Sequence, residues 1–145
     1  MTTIAQQLSQ HFTQLNFAAI PAANRHAVKR LLLDYPGVAI AGSQTESGVV
    51  ACRFAQVQGG AAETTLIGAN ARVPMTHGSF ANAISSHSIE LDDIDVLALF
   101  HFSPPVYSAA LAAAEREGAN GKQLLTALAA GDRKSTRLNS SHTDI

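Results

Sequence analysis

The densest group of ionisable side chains in the sequence lies between residues 87 and 95, which read HSIELDDID. Four carboxylates fall within six consecutive positions: Glu90, Asp92, Asp93 and Asp95. Because like charges at this density repel one another, one of these groups is favoured to stay protonated at neutral pH and to serve as a general acid. A solvated acidic helix end is the competing interpretation. Apolar neighbours favour a partly buried site instead: Ile89, Leu91, Ile94, Val96 and Leu97.

Histidines in the same region are the second set of candidates for proton transfer. No lysine or arginine occurs between Arg72 and Arg116, so positive charge there can come from His77, His87 or His101. A single histidine is more often a packing residue than a catalyst, and His87 is expected to lie inside a helix. His101 follows a loop and precedes two prolines, which favours a functional role for it.

Helices are predicted to carry the first half of the chain. Apolar residues spaced three to four apart indicate a helix from Thr2 or Thr3 to about Leu15, with a threonine as its cap. A second helix is expected to begin at Pro21, to kink or break around Pro36 and to end at residues 42–43. Residues 46–57 favour a third helix, although their pattern also allows a strand.

The second half combines a small hairpin with further helices. ETTLIG and ARVPM are predicted to pair around Asn70. A helix is expected from Thr76 to about Asp93, which would place His87, Glu90 and Asp93 on one arc and leave Asp92 off it. An alanine-rich helix ending at Gly118 and a short helix over residues 122–130 complete a mainly α fold.

Composition excludes several classes of function. The net charge is −1 with no basic stripe, which argues against a surface for nucleic acid or for an anionic membrane. The one cysteine, Cys52, lies in an apolar run and is expected to be a buried thiol, so neither a disulfide framework nor a cysteine-based zinc site can form. The N-terminus lacks the pattern of a signal peptide, and no apolar stretch approaches the roughly 20 residues that span a bilayer. A soluble cytoplasmic protein is the expectation.

The C-terminal segment has a different character. Residues 132–142 read DRKSTRLNSSH, and a common short-read sequencing adapter translates to the same residues in one frame. We therefore expect residues 1–131 to be the native part, and residues 132–145 to be a non-native tail with no apolar face to bury. The native part is then expected to be the N-terminal piece of a longer protein.

Five stretches resemble the MmgE/PrpD family, which includes 2-methylcitrate dehydratase, cis-aconitate decarboxylase and iminodisuccinate epimerase. They occur in the family's order and spacing: RHAVKRLLLDYPGVAIAGS, ETTLIG, FANAISSHSIELDDID, ALFHFSPPVYSAALAAAE and GKQLLTALAAG. The signature around Asn82, His87 and residues 92–93 is the most specific of these. Ala83, Asp95 and Phe102 depart from the family pattern, replacing a usual glycine, a frequent histidine and a common proline.

The resemblance implies that residues 1–131 form the N-terminal part of a large all-helical domain, without the family's smaller α+β lid domain. It also implies a cytosolic homodimer at full length, with no metal and no other cofactor. Family active sites gather acidic and histidine residues, matched here by the catalytic candidates Glu90, Asp93 and His101. The expected substrate-binding residues are His87, Asn82 and Asp92, with basic residues supplied from later sequence.

The implied substrate is a small di- or tricarboxylic acid. In the dehydratase reaction, a base removes a proton beside a carboxylate while an acid protonates the departing hydroxyl. His101 is the predicted proton-transfer or carboxylate-orienting residue, with Asp93 or Glu90 as its acidic counterpart. Decarboxylation and epimerisation use the same carbanion, and the sequence does not choose among the three. Two further classes stay open: a metal-dependent enzyme whose DDID segment binds a divalent cation, and a non-catalytic helical module.

Overall fold

The computed structural model describes residues 2–96 and 99–140, with the backbone alone described for residues 133–140. Within these ranges the protein is mainly α, as predicted, with six α-helices and one two-stranded antiparallel sheet. The elements are α1 (Ile4–Thr13), α2 (Ala22–Gly42), α3 (Glu46–Gln58), β1 (Thr64–Thr65), β2 (Arg72–Val73), α4 (Met75–His87), α5 (Ser108–Glu117) and α6 (Gly121–Ser140). No helix in the described ranges is long and apolar enough to cross a membrane.

Two of the predicted helix ends, the start of α1 and the end of α5, are confirmed. Thr3 caps α1, with its hydroxyl accepting the Gln6 N–H at 3.2 Å and the Gln6 carboxamide oxygen accepting the Thr3 N–H at 2.9 Å. This reciprocal pair satisfies two of the amide donors that a helix start leaves without partners. Helix α5 ends at Gly118, which has a φ of +62°. Glycine adopts this left-handed conformation without steric cost.

Of the predicted kink or break at Pro36, the break is wrong, because α2 runs through Pro36 without interruption; a kink there stays a prediction. A proline inside a helix costs about 3 kcal/mol through its missing donor and its ring clash. Tyr35 and Val38 lie on either side of it and are both buried. Burial of a tyrosine and a valine contributes a comparable amount in the opposite direction, so packing outweighs the local preference.

The predicted hairpin is confirmed, with Thr64 opposite Val73 and Thr65 opposite Arg72. Two-residue strands are too short to be stable alone, so the hairpin depends on its attachment to the helices. One attachment is the hydrogen bond from the Thr65 N–H to the carboxylate of Glu115 in α5.

Helix α4 lies at the centre and packs against α2, α3 and α5. Two apolar clusters flank it. One joins α2 to α5 and α6 through Ile20, Val28, Tyr35, Tyr107, Leu128 and Ala129. The other joins α3, α4 and the hairpin through Ala51, Cys52, Ala55, Leu66, Val73 and Ala81. Cys52 is therefore a buried thiol, as predicted.

Two helix ends differ from the predictions. Helix α4 ends at His87, not near Asp93. The Ser88 hydroxyl donates to the Ile84 carbonyl at 2.6 Å, and Glu90 has a left-handed φ of +53° that turns the chain out of the helix. Helix α6 runs from Gly121 to Ser140, well past the predicted end at Ala130. Whether residues 132–145 are native stays a prediction about the gene.

Candidate active site

The carboxylate cluster does not lie on a helix, so the predicted arc of His87, Glu90 and Asp93 is wrong. His87 is the last residue of α4, and the acidic residues follow in an irregular segment. Helical spacing placed Asp92 off the arc. Because the segment turns back, the side chain of Asp92 points at the end of α4 instead. Its carboxylate is 2% exposed.

Two imidazoles meet at the buried carboxylate of Asp92. The Nδ1 atom of His87 lies 3.0 Å from Oδ2 and 3.2 Å from Oδ1. The Nδ1 atom of His101 lies 3.0 Å from the same Oδ2. The two rings are packed edge to face with their centroids 4.8 Å apart. Asp92, His87 and His101 therefore form one hydrogen-bonded cluster, which we call the His-Asp-His cluster.

His87 lies in a helix, as predicted, but it is the last residue of α4 and is not a packed, enclosed histidine. Its side chain is 45% exposed, and its Nε2 atom lies 3.6 Å from the carboxylate of Glu90. The side chain of Glu90 is 72% exposed and the imidazole of His101 is 27% exposed. Three of the predicted site residues are thus near one another and accessible from solvent, with Asp92 beneath them.

Asp93 faces a different partner. Its Oδ1 atom accepts the backbone N–H of Ser103 at 2.9 Å. Ser103 begins the π-helical turn Ser103–Tyr107 that leads into α5. A carboxylate at the start of a helical segment satisfies a free amide donor and interacts favourably with the helix dipole. The contact gives Asp93 a structural function that the sequence did not predict.

The apolar residues around the carboxylates are mostly not buried. Leu91, Ile94 and Val96 are 70%, 53% and 72% exposed, which contradicts the predicted apolar enclosure, and Leu97 lies outside the described residues. The loop that follows is closed by paired backbone hydrogen bonds between Asp95 and Phe100. Burial of Asp92 therefore does not come from these neighbours in sequence.

Asn82, a predicted substrate-binding residue, is buried in α4 and bonded to the hairpin. Its Oδ1 atom accepts the Ile67 N–H and its Nδ2 atom donates to the Thr65 carbonyl, both at 2.9 Å. The side chain thus pairs with the backbone as a neighbouring strand would. This contact favours a structural role, while binding of substrate by Asn82 stays a prediction.

Two open grooves adjoin the His-Asp-His cluster. The smaller has a volume of about 310 Å³ and is lined by His87, His101 and apolar residues that include Phe100 and Pro104. The larger, of about 910 Å³, has Asp92 and Asp93 in its wall together with Arg30 and other residues of α2.

Arg30 was missed by the sequence analysis, which expected basic residues only from later sequence. Among the described residues that line the larger groove, it is the one basic side chain. Its spacing of four from Asp34 places both on one face of α2. This spacing could have indicated that Arg30 and Asp34 share a face of α2. It does not show which element that face packs against.

The His-Asp-His cluster also has the donor set of a metal site. One ligand atom from each of its residues lies within 4.8 Å of the other two. Two imidazoles and one carboxylate occur in three-ligand catalytic sites of zinc and non-haem iron. Of the DDID carboxylates that the sequence offered for a cation, Asp92 belongs to this cluster, whereas Asp93 faces the Ser103 amide.

Comparison with known proteins assigns the family. The MmgE/PrpD N-terminal domain matches the chain over residues 6–141. No curated protein matches it significantly. The match covers the hairpin, α4 and the whole His-Asp-His cluster, in agreement with the motifs that carried the resemblance. The chain therefore belongs to the MmgE/PrpD family, a family of lyases and isomerases, and residues 6–141 correspond to its N-terminal domain.

Proposed function

We propose that the protein acts in the abstraction of a proton from a carbon beside a carboxylate, within a lyase or isomerase reaction on a small di- or tricarboxylic acid. The favoured reaction is elimination of water from a tricarboxylic hydroxy acid, as by 2-methylcitrate dehydratase. Decarboxylation of a cis-aconitate-type acid and epimerisation of an iminodisuccinate-type acid are the alternatives. The observation that carries this proposal is the contact of His101 with the buried carboxylate of Asp92.

His101 is the proposed base. An imidazole whose Nδ1 atom is held by a carboxylate keeps Nε2 available to accept a proton, the arrangement that orients histidine bases in many hydrolases. His101 is partly exposed and lines the smaller groove, so a substrate can approach its ring. In the elimination, the C–H proton passes to this base, the electron pair forms the double bond, and the hydroxyl leaves with a proton from an acid as water.

Glu90 suits the role of the acid better than Asp93. Its carboxyl group is exposed and lies beside the His87 ring, whereas Asp93 is occupied by the Ser103 amide. Replacing Glu90 with Gln should therefore lower kcat with little change in stability. The Asp93→Asn variant should mainly lower the melting temperature, because it weakens the start of the turn into α5. Equal losses of kcat at unchanged stability in both variants would contradict this assignment.

Binding of a polycarboxylate needs positive groups, since the carbanion and the substrate carboxylates concentrate negative charge. Arg30 is the proposed contributor from this domain, with further basic residues from the complete protein. Its guanidinium matches a carboxylate in geometry and stays charged at all working pH values. Arg30→Gln should raise KM for the acid by about tenfold, the scale of one lost charge-assisted hydrogen bond. Arg53→Gln, on the exposed side of α3, is the matched control.

The direct test uses the complete gene product that carries residues 1–131. It should be assayed with 2-methylcitrate, cis-aconitate and iminodisuccinate, next to the 145-residue chain alone. We expect turnover of one of these acids by the complete protein and none by the short chain. Activity only on uncharged substrates, or a complete protein that binds none of the acids, would refute the proposal; the latter result would favour a non-catalytic helical module.

A metal-dependent enzyme is the second candidate, and the converging ligand atoms of the His-Asp-His cluster favour it. A bound divalent ion would supply Lewis-acid polarisation of a substrate oxygen. Treatment of the complete protein with a chelator, followed by addition of Zn²⁺, Mn²⁺ or Fe²⁺, separates the two candidates. The proton-transfer proposal predicts unchanged activity after chelation, whereas the metal candidate requires its loss and its recovery with one ion.

A further inference from the structure

The side chain of Asp92 is almost fully enclosed, and both of its oxygen atoms face imidazole nitrogen. His87 approaches both oxygens through Nδ1, and His101 approaches Oδ2 through Nδ1. Its 2% exposure leaves little surface for a substrate to touch. A residue placed in this way acts through its neighbours.

The contacts favour one tautomer in each ring. An ionised carboxylate has only acceptor oxygens, so each Nδ1 atom that bonds to it must be a donor. A neutral imidazole with hydrogen on Nδ1 has its lone pair on Nε2, on the other side of the ring. His87 and His101 are therefore both held with Nε2 as the basic atom.

Both rings also face the same space. His87 and His101 line the smaller groove, where the other lining residues are apolar: Leu99, Phe100, Pro104 and Pro105. With each Nδ1 turned towards Asp92, the Nε2 edges are the polar groups of this lining that a ligand can meet, and Nε2 of His87 also lies 3.6 Å from the exposed carboxylate of Glu90. The two rings are in contact, with their centroids 4.8 Å apart, so a change in the orientation or charge of one ring affects the other.

We propose that Asp92 is a positioning residue that holds two imidazoles, His87 and His101, in the Nδ1-protonated tautomer and so presents two basic Nε2 atoms to one groove. The inference rests on the proposed function in treating these atoms as proton-transfer groups. It departs from the expectation that His87 and Asp92 bind substrate, because it gives His87 the same chemical state as His101 and gives Asp92 no contact with substrate.

The first test is independent of catalysis. Nitrogen-15 NMR of the imidazoles in the 145-residue chain, at a pH where histidine is neutral, reports the tautomer of each ring. We expect the rings of His87 and His101 to be Nδ1-protonated. The Asp92→Asn variant should convert at least one of them to the Nε2-protonated form, because a carboxamide can donate to Nδ1. Glu117→Gln, an exposed acid-to-amide change far from the cluster, should leave both rings unchanged.

The second test uses the complete protein, so that a poorly folded short chain does not decide the matter. Asp92→Asn should lower kcat by about 10³-fold or more at nearly constant KM, as expected when a histidine base is held in the wrong tautomer. A direct substrate-binding role predicts instead a rise in KM. Asp92→Glu should recover part of kcat, because it restores an acceptor.

The outcomes separate this inference from the proposed function. An Nε2-protonated His87 or His101 in the wild type, or tautomers unchanged in a folded Asp92→Asn variant, overturns the positioning role even if the complete protein turns over its acid. A chelator that alters the resonances of both rings also overturns it, since a metal would then occupy Nδ1. Correct tautomers in a protein that acts on none of the acids would leave the positioning of the rings standing and remove the proposed function.

Discussion

The Cα atom of Gly42 and the backbone carbonyl of Ser85 are so close that a Cβ atom at position 42 would lie 1.8 Å from the Ser85 oxygen. This contact sets the distance between α2 and α4. Helix α2 carries Arg30 in the wall of the larger groove, and α4 ends at His87 beside Asp92.

Gly42→Ala should therefore destabilise the fold. The clash is with backbone, which cannot move aside as a flexible side chain can, and overpacking of this kind costs about 1–3 kcal/mol or more. Gly37→Ala, in the same helix, is the matched control because a Cβ atom there meets nothing within 4 Å. That change should stabilise the helix by roughly 0.5–1 kcal/mol. Denaturant unfolding of both variants measures the difference, and equal shifts would contradict the close approach.

Asn82→Ala should release the hairpin from α4. The change leaves the Thr65 carbonyl and the Ile67 N–H without their Asn82 partners, in two partly buried hydrogen bonds, and we expect a total loss of about 1–3 kcal/mol. Asn70→Ala, in the exposed loop between β1 and β2, is the control. A fall in the melting temperature together with lost activity would fit this role. Unchanged stability with a raised KM would instead support the predicted binding of substrate.

His101→Ala in the complete protein should lower turnover by about 10²-fold or more, the usual scale for a lost proton-transfer group. His26→Ala, at an exposed position of α2, is the control. His87→Ala should lower turnover by a smaller factor and should cost about 1–3 kcal/mol of stability, because the ring bonds to the buried carboxylate of Asp92. Thermal melts and steady-state kinetics on all three variants check this order. Near-normal turnover in His101→Ala would reverse the assignment.

The two tyrosines should ionise only at high pH. Burial raises the pKa of Tyr35 to about 12, although its hydroxyl is 2.5 Å from that of Ser108. Burial also raises the pKa of Tyr107 well above its usual range, and the charges of Asp132 and Asp93 act in the same direction. Because both folded-state values exceed the unfolded value of about 10, this contribution to stability is complete below pH ~10 and is lost as the pH rises through the folded pKa.

Ultraviolet absorbance of tyrosinate measures this directly, since the sequence has two tyrosines and no tryptophan. The native protein should show little signal at pH ~10, where the denatured chain is half ionised. The signal should then appear together with unfolding. A normal titration curve near pH 10 in the folded protein would show that at least one phenol is accessible.

The origin of the C-terminal segment can be tested at the gene. We expect the natural reading frame to depart from DRKSTRLNSSH after Gly131, since this segment matches an adapter translation. Sequencing of the locus from genomic DNA decides the question. A frame that encodes these residues in the organism's own genome would refute the expectation and make the end of α6 native.

Much of the fold could be predicted because its signals are local. Helix ends are marked by capping residues and by residues with special φ values, and these do not depend on distant parts of the chain: Thr3, Pro21, Gly59 and Gly118. The hairpin was predictable because two short β-rich segments flank a turn signal at Asn70. The continuity of α2 through Pro36 was not predictable, since the cost of the proline is offset by burial on both sides of it, which only the packed helices provide.

The sequence by itself determined the family and the helical class, and it supplied the candidates for proton transfer. It could not determine their roles, because roles depend on which side chain faces which. Helical spacing grouped His87 with Glu90 and Asp93, but the turn after α4 brings Asp92 beneath both His87 and His101. Arg30 of α2 lines the same groove as Asp92 and Asp93, and α2 packs closely against α4 at Gly42. These contacts join residues that are distant in sequence, and only tertiary packing decides them.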